Sequence, residues 1–142
     1  MSELTIDHHK NVPEVIKFLL EAHGEIEKTG IEGSLGHLIM LRASLINDCA
    51  FCIDMHMSDA KKCGESDERL KELSDWEKAT CFSARERSAF AFVDALTLLK
   101  TDTNYGLLRN DLRMYFSEKQ ISAIVLLIGM INMWNRVGIS NH

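Results

Sequence analysis

Residues 38–64 read LIMLRASLINDCAFCIDMHMSDAKKCG, and this stretch of the sequence decides both the fold class and the chemistry. Its first half repeats apolar residues at helical spacing. A second helix is predicted over residues 49–62, and Gly64 is suited to its C-terminal end. Cys49 and Cys52 would then lie on the first turn of this second helix.

Helical spacing and capping signals continue through most of the chain. Two capping boxes, Ser83-Ala84-Arg85-Glu86 and Ser117-Glu118-Lys119-Gln120, each predict the start of a helix. The uncharged run from Gln120 to Asn135 is short for a membrane span, and we interpret it as a buried core helix. The helix in the first half of the quoted stretch is predicted from Ser34 to Leu45. The remaining helices are predicted from Asn11 to Gly30, from Ser66 to Trp76, from Ser83 to about Lys100, from Asn104 to Tyr115 and over residues 118–137.

Strand signals are weak throughout the chain. Few segments alternate polar and apolar residues with a period of two, and there is a single proline. The length of 142 residues allows one compact core, and no linker or internal repeat divides the chain. We therefore expect an all-α fold, formed by one multi-helix domain over residues 1–142, with the cysteine pair at the start of a central helix.

The composition excludes several classes of protein. Apolar residues make up 46% and charged residues 26%, which is typical of a soluble globular protein rather than a disordered one. The net charge of −5 argues against an electrostatic grip on nucleic acid or on anionic membranes. The first fifteen residues show no basic segment followed by an apolar stretch, so we expect no signal peptide and a cytoplasmic location.

A CxxC pair has three common meanings, which are haem attachment, half of a zinc site and a redox dithiol. Haem attachment requires a histidine directly after the second cysteine, and Ile53 stands there. Cys49, Cys52 and His56 share one helix face, but a zinc site would need a further ligand and no second CxxC exists. Cys63 would lie roughly 21 Å from Cys49 along the helix, too far to share an ion.

A redox dithiol fits the pattern better than a zinc site. The positive end of a helix favours the thiolate, which is the nucleophilic form of cysteine. His56 follows Cys52 by one turn on the same face and is placed to exchange a proton with it. The alternative is that Cys49 and Cys52 are small core residues and His56 is a hydrogen-bonded structural histidine. For Cys63 and Cys81 we expect buried positions without a catalytic role.

The block from Leu38 to Gly64 resembles the core of the alkylhydroperoxidase D family, which belongs to the carboxymuconolactone decarboxylase superfamily. A looser likeness runs from about residue 34 to 140, and the family core covers about residues 34–100. The residues that carry the core resemblance are Leu41, Arg42, Ser44, Asn47, Cys49, Cys52, His56, Ala60 and Gly64. Trp76, Ala89, Ala91, Asn132, Trp134, Asn135 and Arg136 extend it downstream.

The resemblance implies an all-α fold and the reduction of hydroperoxides by the cysteine pair. It implies that Cys52 attacks the peroxide, that Cys49 resolves the resulting sulfenic acid into a disulfide and that His56 relays protons. Family members often carry a relay glutamate fifteen residues before the second cysteine, where this chain has His37. A histidine can also accept a proton, so we assign His37 to the relay. Family members commonly form homo-oligomers, and an external thiol or dithiol restores the cysteines.

Three functions are open to a chain with these features. We predict a cysteine-based hydroperoxide reductase in antioxidant defence, with no cofactor and no metal ion. Its expected partners are a hydroperoxide substrate, an external thiol or dithiol reductant and further copies of the same chain, with no nucleic acid and no membrane. A redox sensor with little turnover stays open because His37 replaces the glutamate. A carboxymuconolactone decarboxylase-like lyase is disfavoured by Cys49 and Cys52, since those enzymes generally lack the pair.

Overall fold

The computed structural model describes residues 4–142, and every regular element in that range is helical. The predicted all-α fold is therefore confirmed. The helices are α1 (His8–Asn11), α2 (Pro13–Glu27), α3 (Gly33–Asn47), α4 (Ala50–Lys62), α5 (Asp67–Glu72), α6 (Ala84–Leu98), α7 (Tyr105–Arg113) and α8 (Glu118–Ile139), with a 3₁₀ turn at Leu73–Asp75.

Local capping explains where the later helices begin. Ser83 and Ser117 each form a complete capping box, in which the serine hydroxyl and the residue three positions later satisfy two backbone donors. Ser66 and Asn104 cap α5 and α7 with their side-chain oxygens. The helix starts predicted at these four residues are confirmed.

Two other predicted helix starts are wrong by a few residues. Asn11 does not cap the first long helix; it ends the short helix α1, which Asp7 caps, and α2 begins at Pro13. Ser34 lies inside α3 and does not precede it. Its hydroxyl donates instead to a carboxylate oxygen of Glu65 at 2.7 Å, a partner that lies far away in the sequence.

Helix α3 is the centre of the domain, because it contacts α4, α6 and α8. Its apolar residues cover most of its circumference, as expected for a helix that is enclosed by its neighbours. Leu35, Leu38, Ile39 and Leu41 are at most 2% exposed. This packing places the end of α3, and with it the start of α4, inside the domain.

Helix α8 is the one helix within residues 4–142 that is long and apolar enough to cross a membrane by length and composition. It contacts α2, α3, α4, α6 and α7, and it buries Ile124, Ile128 and Ile131 among them. These contacts support the interpretation of α8 as a core helix. Its other side leaves Val125 and Leu126 exposed.

A largely buried ion pair joins α3 to α6. Arg42 donates from Nε and Nη2 to the two carboxylate oxygens of Asp94, at 2.7 and 3.0 Å. The indole Nε1 of Trp76 donates to the same carboxylate at 3.2 Å, and Arg42 also donates to the carbonyl of Ser74 at 3.0 Å. The pair therefore anchors the segment after α5 as well as the two helices.

Candidate functional site

The cysteine pair lies where α3 ends and α4 begins. Asp48 adopts a left-handed φ of 54°, and the N–H of Cys49 donates to the carbonyl of Ser44 at 3.1 Å. This tight turn makes Cys49 the N-cap of α4 and places Cys52 in its first turn, as predicted. The two cysteines form a disulfide, with their Cα atoms 5.3 Å apart, within the usual range.

The two sulfur atoms have different surroundings. Cys49 is completely buried and Cys52 is 3% exposed. Gly138 of α8 packs on both, since a Cβ built there would lie 3.2 Å from Sγ of Cys49 and 3.6 Å from Sγ of Cys52. Of the pair, it is Cys52 that lines the neighbouring cavity. A molecule in that cavity therefore meets Cys52 first.

That cavity has a volume of about 640 Å³ and also contacts His56. Its walls come from α2, α4, α8 and the segment that leads into α1. Most of the lining is apolar, which suits a small organic molecule. The apolar side chains that line it include Leu20, Phe51, Met55, Ile131, Trp134 and Val137.

The N-terminal segment closes one side of the cavity. The N–H of Ile6 donates to Oδ1 of Asn141 at 2.8 Å, and Nδ2 of Asn141 donates to the carbonyl of Ile6 at 2.9 Å. Nε2 of His8 lies 2.9 Å from the hydroxyl of Ser140. These hydrogen bonds hold the beginning of the described chain against the end of α8.

His56 lies one helical turn after Cys52 and is 5% exposed. Neither of its ring nitrogens has a hydrogen-bond partner. His37 of α3 lies beside it, with the ring centroids 5.9 Å apart, and the buried Nδ1 of His37 has no partner either. Unpaired polar atoms in a buried site cost free energy, so they indicate a place where a reacting group or a ligand binds.

Burial lowers the pKa of both histidines, because the cationic form loses its hydration. The pKa of His56 falls to about 4, and the neighbouring His37 adds to the decrease that burial causes. The pKa of His37 is also lowered by burial, although the charges of Asp59 and Glu27 act in the opposite direction. Both imidazoles are therefore neutral at pH 7, the form that can accept a proton.

A network of amides holds the turn before the cysteines against α8. Nδ2 of Asn47 donates to Oδ1 of Asn132 at 2.9 Å and to Oδ1 of Asn135 at 3.0 Å. Nδ2 of Asn135 donates to the hydroxyl of Ser44 at 3.0 Å. Ser44, Asn132 and Asn135 are buried, so the network satisfies polar groups that water does not reach.

The structure joins Cys49 to Cys52 in a disulfide, places Cys52 and His56 in the wall of one cavity, and places His37 beside His56. The contact of His37 with His56 was expected if His37 replaced the relay glutamate, and the structure places the rings side by side. The catalytic roles of Cys49, Cys52, His56 and His37 stay predictions.

The predicted burial of Cys63 and Cys81 is wrong, and sequence reasoning missed Asp59 beside the histidines and Gly138 beside the disulfide. Cys63 and Cys81 are exposed free thiols, because they lie outside the helix interiors, after α4 and before α6. Asp59 approaches the two histidines, and its spacing of three residues from His56 was a signal that could have found it. Gly138 gave no local signal, since its contact with the disulfide depends on how α8 packs.

Comparisons with known sequences give a family. The sequence profile of the Carboxymuconolactone decarboxylase family matches residues 13–95. The uncharacterized protein YdfG of Bacillus subtilis (strain 168) is 33% identical over 135 residues, which cover 95% of this chain and 92% of YdfG. The uncharacterized protein YnjA of Escherichia coli (strain K12) is 26% identical over 110 residues, which cover 77% of this chain and 59% of YnjA.

Two solved structures share the fold. ATU0492 from Agrobacterium tumefaciens is a protein of unknown function described as a candidate antioxidant defence protein AhpD. It is 34% identical, with a TM-score of 0.88 and coverage of 95% of this chain and 92% of ATU0492. The debrominase Bmp8 in its apo form has a TM-score of 0.75 at 19% identity, over 90% of this chain and 68% of Bmp8, a likeness of fold alone. The alkylhydroperoxidase D-like architecture is thus confirmed, and the chain belongs to the carboxymuconolactone decarboxylase family.

Proposed function

We propose that this protein reduces hydroperoxides with the dithiol of Cys49 and Cys52. The observation that carries the proposal is the asymmetry of the pair. Cys52 lines the cavity together with His56, whereas Cys49 is fully buried. The family and the likeness to ATU0492, a candidate AhpD, support the same chemistry.

Cys52 is the attacking thiol in this proposal. The first turn of a helix favours its thiolate, because the backbone dipoles place partial positive charge there. The thiolate attacks the terminal oxygen of the hydroperoxide, so that an S–O bond forms while the O–O bond breaks. The sulfur loses two electrons and becomes a sulfenic acid, and the departing alkoxide takes a proton to leave as an alcohol.

Cys49 then resolves the sulfenic acid. Its thiolate attacks the sulfur of Cys52, the S–S bond forms, and the hydroxide that leaves takes a proton to become water. The Cα separation of 5.3 Å allows this bond within the observed turn. An external thiol or dithiol restores the pair by exchange through a mixed disulfide, most directly at Cys52, the sulfur that the cavity reaches.

His56 and His37 form the proton relay in this proposal. The neutral imidazole of His56 accepts the proton of the Cys52 thiol and returns one to the leaving oxygen. His37 also lines a second cavity, of about 350 Å³, which offers a path for proton exchange with solvent. We expect His37→Ala to slow the oxidation of Cys52, and an unchanged rate would remove His37 from the relay.

The apolar lining of the larger cavity points to an organic hydroperoxide as the substrate. Side chains such as Phe51, Met55 and Trp134 contribute binding energy to the organic part of a substrate, which hydrogen peroxide lacks. We therefore expect a lower KM for an alkyl or aryl hydroperoxide than for hydrogen peroxide. A cytoplasmic location and the absence of nucleic-acid and membrane partners stay predictions.

We also propose that the protein is a homo-oligomer. Helix α2 leaves Val15, Phe18 and Leu20 between 54% and 62% exposed, and α8 leaves Leu126 60% exposed. Large apolar side chains exposed on two helices support an interface with a further copy of the chain. Light scattering at micromolar concentration should give a dimer or a larger assembly, and a monomer would contradict this part of the proposal.

Trapping of the sulfenic acid tests the proposal directly. The reduced protein is treated with one equivalent of cumene hydroperoxide and then with a carbon nucleophile that reacts with sulfenic acids, and the adducts are located by mass spectrometry. We expect a persistent adduct on Cys52 in Cys49→Ser and none at the site in Cys52→Ser. Cys63→Ser and Cys81→Ser are matched controls, because each removes an exposed thiol outside the site. Persistence in Cys52→Ser would reverse the two roles.

Turnover separates the proposed enzyme from the two alternatives. With excess reductant, an enzyme consumes many equivalents of hydroperoxide per chain, whereas a redox sensor stops near one equivalent. A series of reductants, from glutathione to small dithiol proteins, keeps a poor choice of electron donor from hiding the turnover. Product analysis with a γ-lactone acid tests the lyase alternative, for which neither cysteine would be required.

A further inference from the structure

Three side chains that can bind a metal ion lie together on the facing helices α3 and α4. His37, His56 and Asp59 each offer one ligand atom, and these atoms all lie within 4.8 Å of one another. We refer to them as the His37–His56–Asp59 cluster. His56 is 5% exposed and has no hydrogen-bond partner on either ring nitrogen, and the buried Nδ1 of His37 has none. His37 and Asp59 are partly exposed, so the cluster joins the buried, unpartnered ring of His56 to groups that solvent can reach.

The donor set suits a divalent ion of the zinc class. Neutral imidazole nitrogens and a carboxylate oxygen are common zinc ligands, and sites with three protein ligands leave a fourth position for water. The carboxylate of Asp59, whose side chain is 35% exposed, supplies negative charge and lies 3.6 Å from the ammonium group of the exposed Lys62.

Closure of the cluster around an ion requires only small movements of the three ligand atoms. Ligand atoms about 2.1 Å from a tetrahedral ion lie about 3.4 Å from one another, so the widest separation of 4.8 Å must shrink by somewhat more than 1 Å. Rotation of side chains can supply this shift while α3 and α4 stay in place. The second cavity, which His37 lines, provides an entry path.

We propose that the His37–His56–Asp59 cluster binds one divalent ion of the zinc class and that a bound ion blocks proton transfer to and from Cys52. An imidazole whose lone pair is held by a metal ion cannot accept a proton. The site and the relay share His56 and His37, so the metal and the peroxide reaction compete for the same nitrogens. The blocking rests on the proposed peroxide reaction, whereas the binding of the ion does not.

Binding is measured without reference to activity. The oxidised protein, whose Cys49–Cys52 disulfide offers no thiolate, is freed of metal with a chelator and titrated with Co²⁺. We expect one Co²⁺ per chain, with the visible absorption of a four-coordinate ion, and displacement of Co²⁺ by Zn²⁺. Asp59→Asn should weaken binding at least about tenfold, since even the loss of a residue behind the ligands typically costs tenfold to a hundredfold.

Matched variants make the binding test specific. Asp54→Asn removes an exposed carboxylate on the same helix, and Cys81→Ser removes an exposed thiol outside the second cavity, so neither should change the affinity. His37→Gln should weaken binding as Asp59→Asn does. The proposed metal site is wrong if the wild-type protein binds no stoichiometric Co²⁺ or if the Asp59→Asn variant binds Co²⁺ equally tightly.

The blocking is measured separately, as the single-turnover rate of Cys52 oxidation in the reduced protein. One equivalent of Zn²⁺ should slow this rate in the wild-type protein. The Asp59→Asn variant keeps both histidines and should need at least about tenfold more Zn²⁺ for the same decrease in rate. If Zn²⁺ binds but the rate does not change, the blocking is wrong while the site stands. If Cys52 does not react with hydroperoxide even without metal, the proposed function fails and the metal titration still decides the site.

Discussion

Gly138→Ala tests how closely α8 packs on the cysteine pair. A Cβ at this position would lie 3.2 Å from Sγ of Cys49 and 3.6 Å from Sγ of Cys52. Even carbon atoms prefer a separation of about 3.5–4.0 Å, so the first contact is short by a few tenths of an ångström. Cys49 is completely buried and bonded to Cys52, which leaves its sulfur little room to withdraw.

The expected change in stability combines two effects of opposite sign. Alanine in place of glycine within a helix stabilises a protein by about 0.5–1 kcal/mol. Overpacking of a filled core costs about 1–3 kcal/mol, so we expect Gly138→Ala to be destabilised by up to about 2 kcal/mol. Gly129 lies in the same helix, and a Cβ built there has nothing within 4 Å. Gly129→Ala should therefore be stabilised by about 0.5–1 kcal/mol.

Urea unfolding of the oxidised protein, followed by helical circular dichroism, measures both variants. The midpoint should fall for Gly138→Ala and rise for Gly129→Ala, with the same slope in each case. The difference between the two free energies of unfolding isolates the contact with the sulfurs. Equal stabilisation of both variants would show that α8 leaves room beside the disulfide, and the reasoning would be refuted.

Three further predictions concern polar groups of the interior. Asp94→Asn leaves the guanidinium of Arg42 without its counter-charge and should cost about 3 kcal/mol in thermal or urea unfolding. Asn135→Ala removes a hydrogen bond to the hydroxyl of Ser44 and should cost about 1–3 kcal/mol in the same assay. His56 in metal-free protein has its pKa lowered to about 4, so the unfolded chain, with a histidine pKa of about 6.5, binds a proton first as the pH falls. Between about pH 6.5 and pH 4 the free energy of unfolding of the wild-type protein should fall by about 3 kcal/mol more than that of its His56→Gln variant. Parallel pH profiles of the two free energies of unfolding would contradict this.

Local signals explain how much of the fold the sequence predicts. Ser83 and Ser117 are followed three residues later by Glu86 and Gln120, so each capping box is complete within four residues of chain. Such a signal survives whatever the helix later packs against. Ser34 lacks the second half of this signal, since His37 stands three residues later, and its hydroxyl binds a carboxylate on a distant segment. A serine therefore predicts a helix start well only when its hydroxyl has no stronger hydrogen-bond partner elsewhere in the fold.

The candidate functional site was predictable only in part, because some of its contacts join segments that are distant in the sequence. Cys49, Cys52 and His56 lie within one helix, so their spacing alone places them on one face. The contact between His37 and His56 came from the resemblance to a family, since no rule of spacing joins two helices. The contact of Ile6 with Asn141 spans 135 positions in the sequence. The close approach of Gly138 to the two sulfur atoms depends on how α8 packs against the rest of the domain. Contacts of this kind need the folded chain.

The different tasks proposed for the two cysteines follow from the geometry of a helix start. Cys49 is the N-cap of α4, the position whose side chain normally accepts a backbone N–H from the first turn, and its sulfur makes no such bond while it is held in the disulfide. After reduction we expect the sulfur of Cys49 to accept from the N–H of Cys52, three residues on, which would hold the proposed resolving thiol in its buried position. Cys52 lies in the first turn of α4, three residues after Cys49, and it lines the cavity. In an exchange of roles Cys49 would have to leave its buried contact with Gly138 to reach a hydroperoxide in the cavity, so the order of the two cysteines matters for the proposed reaction.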